Sequence, residues 1–184
     1  MKNLKNIIDK NLNGKKVFLL FILTNIVYAF MLLVTIPKVM SFSNGLKLLD
    51  MMPAGYNLEY INSLFNALGE GGRELYLYNQ IPVDMIYPFL FGISNCLLLA
   101  YFLKKINKLD TSLFYLCLLP LVAGIADYFE NFGIIKMLNN YPEVTSFSAT
   151  ATNIFSMTKS TSTTLYFVVL LIALMAFGIK KIKN

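Results

Sequence analysis

The sequence predicts an all-α fold: an integral membrane four-helix bundle with an extra amphipathic helical segment in a long first external loop. Three observations predict it. Of 184 residues, 57% are hydrophobic and 14% charged, against about a quarter charged in soluble domains. Four apolar runs approach the roughly 20 residues that cross a bilayer core of about 30 Å. Lysine and arginine gather at alternate connections, as the positive-inside rule expects of a multi-span chain. Residues 1–184 read as a single membrane domain.

The first span is Val17 to Ile36, "VFLLFILTNIVYAFMLLVTI", closed by Pro37. Its apolar core is too long for a signal peptide and no small-residue cleavage motif follows, so it reads as a retained helix. The second span covers about 83–103, the third about 112–135 and the fourth about 160–179. Four spans put eleven cations on one side, from the N-terminal tail, the Lys104–Lys108 turn and the C-terminus. Five remain on the other: Lys38, Lys47, Arg73, Lys136 and Lys159. Both termini are therefore expected in the cytoplasm and the protein in the cell membrane, with lysine- and asparagine-rich ends that suit a bacterial inner membrane. The net charge of +6 is then a topology signal and an attraction to anionic lipid heads. No basic run is interleaved with aromatics on a soluble module, so no nucleic-acid partner is expected.

The connection from 38 to 82 is far longer than ordinary helix–helix loops. Within it, Asn57 can cap a helix whose Leu58, Ile61, Leu64, Phe65 and Leu68 recur at helical spacing. Gly69 ends that helix, with Gly71 and Gly72 allowing a sharp turn. The segment reads as an amphipathic cap on the bundle or a lid over a pocket. Arg73 begins a second helical stretch that runs into the second span. Asp84 lies at the mouth of that span, and Pro88, one turn deeper, frees a backbone carbonyl. Tyr76, Tyr78 and Tyr87 suit the headgroup zone.

The third span carries "ADYFENFGI". At about 1.5 Å per residue, Asp127 lies roughly 22 Å and Glu130 roughly 27 Å from its start. Asp127, Glu130 and Asn131 are spaced i, i+3 and i+4 and share a face. Pro120, Ala123 and Gly124 continue that face with small residues that permit close packing. Charges in a membrane interior are costly and mark functional sites or buried pairs. Arg73 and Lys159 are the available cations, and Arg73 is the better fork for a carboxylate. Lys159 sits in a Ser/Thr-rich run that reads as a helical extension of the fourth span. Arg73, Asp84, Tyr87, Asp127, Glu130, Asn131 and Lys159 are thus the candidate ligand-binding residues.

Much chemistry is excluded. The chain has no histidine, which removes most zinc sites and imidazole acid–base catalysis. Cys96 and Cys117 form no C-x-x-C and read as buried, inert thiols. The G-E-G-G stretch lacks the lysine of a phosphate-binding loop. No cofactor is expected. A hard-metal site from Asp84, Asp127, Glu130 and Asn131 is the weak alternative.

The pairing of "IPVDMIYPFLFG" with "ADYFENFGI" resembles a bacterial family of small four-span membrane proteins with a long first external loop. The D-x-x-x-P pattern is Asp84 to Pro88, and the D-x-x-E-N pattern is Asp127, Glu130 and Asn131. More loosely, the layout is similar to the emopamil-binding protein and sigma-2 receptor superfamily. That resemblance implies a compact bundle with intramembrane acids around a lipophilic amine or sterol. Without histidine, sterol isomerase chemistry does not follow.

The leading expectation is a protein that binds, or also transforms, a small lipophilic or cationic amphiphilic molecule. Any acid–base step would fall to Asp127 or Glu130; the sequence names no catalytic residue and leaves open whether the protein is an enzyme. A proton- or cation-coupled transporter is the second reading, with Asn25 and Asn95 as the deeper polar steps. A structural or accessory membrane subunit is the third. The bilayer is the expected partner, and four spans leave room for a homo-oligomer.

Overall fold

The computed structural model describes residues 2–183, and every regular element among them is helical. Five segments follow one another: α1 (Lys2–Lys10), α2 (Gly14–Met40), α3 (Leu58–Lys105), α4 (Ser112–Asn140) and α5 (Ser146–Lys183). The last four are each long and apolar enough to cross a membrane. The chain is a multi-pass helical membrane protein.

Local chemistry sets the helix starts. Asn13 Oδ1 accepts the amides of Lys15 (3.1 Å) and Lys16 (3.2 Å) at the start of α2. Asn57 Oδ1 accepts the Tyr60 amide at 2.8 Å at the start of α3. Each satisfies donors that a helix start leaves free. Gly69, with φ +61°, breaks α3 into an outer piece ending at Leu68 and a longer piece beginning at Glu70. That left-handed conformation favours glycine. The turn is made there, while Gly71 and Gly72 are helical; a Cβ on Gly72 would come within 2.8 Å of Phe42.

The spans are longer than hydropathy suggests, and two of them run through a proline. The ring removes one N–H and crowds the preceding turn. Before Pro37 the turn Met31–Thr35 widens, so that the Ile36 amide reaches the Met31 carbonyl. Before Pro82 the turn Tyr76–Gln80 widens in the same way, with the Ile81 amide on Tyr76. Such wide turns absorb a proline without ending the helix. Hence α2 continues through Pro37 to Met40 rather than closing there, and α3 is already helical well before residue 83. Beyond the expected 135, α4 runs on to Asn140; the Ser/Thr-rich run before 160 is a helical extension of the fourth span, as expected, and α5 begins at Ser146.

The helices wear their large side chains outward. On α4, Val122, Ile125, Phe129 and Phe132 are exposed, while Pro120, Ala123, Gly124 and Asp127 are buried. On α5, Leu165, Val168, Leu171, Ile172 and Met175 are exposed. This is the reverse of a soluble bundle and suits a hydrocarbon surround. Small residues let the backbones approach. A Cβ on Gly124 would lie 2.7 Å from the Pro88 carbonyl oxygen, and one on Gly133 would strike Thr152.

Two apolar cores result. One holds Val39, Leu48, Leu49, Ile61, Phe65, Tyr76, Ile134 and Met137. The other holds Ile8, Leu99, Leu103, Phe114, Cys117, Tyr166 and Leu170. The first core takes in the long connection: the short helical turn Leu49–Met51 dips inward, and Leu48 and Leu49 are fully buried.

Candidate functional site

Three helices change character between the two cores. Along α4 the order is Ala123, then Asp127, Glu130 and Asn131, then Ile134. Along α3 it is Ile81, Asp84, Phe91; along α5 it is Ala149, Ser156, Lys159, Tyr166. The polar residues therefore form a layer sandwiched between apolar ones. Asp84 is 3% exposed, Asp127 6%, and Glu130 and Asn131 are fully buried. The i, i+3, i+4 spacing on α4 is what brings its three polar groups to one interior face.

Lys159 is the cation of the layer. Its Nζ lies 3.1 Å from Asp127 Oδ1 and also pairs with Glu130. The bridge ties α5 to α4, and both carboxylates are shielded from water, so neither charge is orphaned. Tyr56, from the long connection, closes over Glu130 with its hydroxyl 3.5 Å from Oε1. Burial, and then the nearby Glu130 charge, hold the Tyr56 hydroxyl well above the ordinary phenol range, so it stays a neutral donor. The Tyr56 amide in turn donates to Asn153 Oδ1 of α5 at 2.8 Å.

Asn131 does a different job. Pro88 has no amide to give to the carbonyl one turn before it, which is that of Asp84. Asn131 Nδ2 supplies the missing donor at 3.3 Å. The Asp84 side chain is less provided for: its buried Oδ2 has no hydrogen-bond partner in the protein.

Arg73 is engaged elsewhere. Its guanidinium donates to the Phe65 carbonyl at 2.9 Å and lies 4.5 Å from the centroid of the Tyr141 ring. It caps the outer piece of α3, whose last carbonyls the Gly69 break leaves free. The expectation that Arg73 would serve the carboxylates is corrected to Lys159. Tyr76 likewise leaves the headgroup zone: it is fully buried and donates to Asp50 Oδ1 at 2.9 Å.

Asp50 is the residue that sequence reasoning passed over. It accepts from Tyr76 and, at 3.4 Å, from Gln80 Nε2; the Gln80 oxygen accepts from Thr35. A lone acid inside the apolar run "LKLLDMMP" was the available signal.

A cavity of about 400 Å³ opens among the four spans. Its charged lining is Asp50, Asp84, Asp127 and Lys159, with the hydroxyls of Ser160, Thr163 and Thr164 beside them, and Tyr28, Tyr87 and Phe91 belong to its apolar wall. Tyr28 and Tyr87 stack with centroids 5.3 Å apart, and Tyr87 meets Phe91 at 5.7 Å. Of the seven expected ligand-binding residues, Asp84, Tyr87, Asp127 and Lys159 line this cavity. Glu130 and Asn131 are tied to the layer but absent from its lining, and Arg73 is held at Phe65 and Tyr141.

The deeper polar side chains hold partners within the protein. Asn25 donates to the Phe21 carbonyl at 2.7 Å. Asn95 donates to the Phe91 carbonyl at 3.0 Å and accepts from Tyr166 at 2.8 Å. The weak alternative of an oxygen-ligand metal site is not assembled. Among the described residues no three His, Cys, Asp or Glu side chains are gathered for a metal, and the Lys159 ammonium already stands with Asp127 and Glu130. Cys96 and Cys117 are free and buried.

Comparison with family models, curated proteins and solved structures returns no match for this chain.

Proposed function

We propose that the protein binds a small lipophilic cation, such as a protonated amine with an apolar body, in the cavity among its four spans. The observation that carries this reading is the balance of charge around the cavity. Three carboxyl side chains, Asp50, Asp84 and Asp127, line the cavity with a single ammonium, that of Lys159, which Asp127 already shares with Glu130 outside the lining. A cation entering the cavity meets acids that lack a positive partner. Its apolar part meets the stacked Tyr28 and Tyr87 rings and Phe91. The volume of about 400 Å³ falls within the range of roughly 300–1,000 Å³ for small-molecule sites.

The test is saturable binding of a radiolabelled lipophilic amine, N,N-dimethyldodecylamine, to the purified full chain in detergent. The expected result is a saturable component that Asp84→Asn weakens at least about tenfold, the loss of one charge-assisted contact. Purely linear uptake into protein and empty micelles alike overturns the reading.

The orientation belongs to the same proposal. With both termini in the cytoplasm, the cavity lies in the outer half of the membrane, and the eleven-to-five division of Lys and Arg supports this sidedness. An impermeant thiol reagent applied outside should label a cysteine placed at Asn66 and miss one placed at Asn107. Both positions are exposed, and the native thiols are buried. The reverse pattern overturns the orientation.

A further inference from the structure

One end of the bundle gathers both termini and the α3–α4 turn. Lys104 holds Asp9 at 2.7 Å, Lys5 holds Asp110 at 2.5 Å, and Lys180 donates to the Lys105 carbonyl at 2.9 Å. The two ion pairs pin α1 across the ends of α3 and α4. Ile8 of α1 is buried against the second core, while Leu4 and Ile7 stay exposed. An amphipathic helix so placed lies along a membrane interface.

A second cavity, of about 600 Å³, lies between α1 and the spans. Leu4, Ile8, Leu20, Leu97 and Leu121 are among its walls, and none of its lining residues is acidic. Two polar side chains reach it, Asn11 and Lys16. Asn11 commits its amide to the Ile7 carbonyl at 2.8 Å. Lys5 and Lys104 are neutralised by their aspartates, whereas Lys16 joins no ion pair among the described residues. Lys16 also lies in the first turn of α2, where the helix dipole adds positive potential.

We propose that this cavity holds an acyl chain of an anionic glycerophospholipid whose phosphate is held by Lys16. The occupant must be long and apolar to fill a wall of leucine and isoleucine, and negative at its head to answer an unpaired ammonium beside a helix start. A phosphatidylglycerol-type lipid has both properties. A phosphatidylcholine offers the same chains, but its own cation opposes Lys16. This site is separate from the acid-lined cavity and stands whether or not that cavity binds an amine.

The chain has no tryptophan, so a single indole can report on each place. Leu4→Trp puts it at the cavity wall, where Leu4 is 38% exposed and a larger ring has room. Leu19→Trp puts it on the outer surface of α2, where Leu19 is 65% exposed. Each full-length variant is reconstituted in phosphatidylcholine vesicles with equal small fractions of dibrominated phosphatidylglycerol or dibrominated phosphatidylcholine. At Leu4→Trp the expected preference for the brominated phosphatidylglycerol is about fivefold in apparent affinity, the factor one lysine near an anionic head supplies. Leu19→Trp should show no such preference, and adding Lys16→Gln should abolish it at Leu4→Trp. Equal quenching by both lipids at Leu4→Trp overturns the site. So does a preference that survives Lys16→Gln, or one equally large at Leu19→Trp, which reveals only diffuse attraction by the lysine-rich end.

Discussion

Replacing Lys159 with methionine keeps the length and apolar stem of the side chain and removes its charge. The cost follows from the surroundings. The Lys159 side chain is 16% exposed, that of Asp127 8% and that of Glu130 0%. Exposed pairs contribute about 0–1 kcal/mol. Stripping the partner from buried charges costs about 3–5 kcal/mol. Few neutral donors support these carboxylates: among the described residues Asp127 bonds to Lys159 alone, and Glu130 has the hydroxyls of Tyr56, at 3.5 Å, and Ser156. Lys159→Met should therefore destabilise by about 3–5 kcal/mol, read as a lower midpoint in sodium dodecyl sulfate titration followed by far-ultraviolet circular dichroism. The triple variant Lys159→Met, Asp127→Asn, Glu130→Gln removes the charges together and should recover most of that loss, because neutral replacements need no counter-ion. A single-variant cost under about 1 kcal/mol, the range of solvated pairs, would refute the view that these charges share a dry layer. A triple variant no better than the single one would show that shape rather than charge holds α4 to α5.

Three other outcomes are expected. Asn131→Ala should cost about 1–3 kcal/mol by leaving the Asp84 carbonyl without its donor; Pro88→Ala restores a backbone N–H, so the double variant should lose less than the sum in the same titration. Gly124→Ala forces a Cβ to 2.7 Å from the Pro88 carbonyl and should lower stability by about 1–3 kcal/mol as an overpacked contact, read from the thermal midpoint. Lys5 holds the Asp110 carboxyl below its ordinary value. A lowered folded value means the contact is present above the unfolded range of about 3.9 and is lost as pH falls through the lowered one. Proteolytic protection of α1 should accordingly be flat from pH 8 to pH 5.

What the sequence disclosed follows from the range of each interaction. Local rules were sufficient for the spans, the Asn57 cap, the Gly69 break and the shared interior face of Asp127, Glu130 and Asn131, since each depends on residues within about one turn. The carbonyl freed by Pro88 was equally local; its partner, Asn131, was not, because the partner depends on how α4 docks against α3. The same distinction explains the choice of cation. By chemistry alone Arg73 is the better match for a carboxylate. The left-handed Gly69 creates a nearer claim, the free end of the outer helix, and Arg73 meets it at the Phe65 carbonyl. Lys159 then wins by register along α5, whose helix begins a full fourteen residues earlier than hydropathy places it. Asp50 was hidden for a further reason. It has no periodicity to betray it, lying in a connection whose path is set by the burial of Leu48 and Leu49 and by the Asp50 contacts with Tyr76 and Gln80. That placement turns the long loop from a cover into a wall of the cavity. It supplies the cavity carboxylate that comes from outside the four spans, so the loop and the spans must fold together before the acid-lined cavity exists.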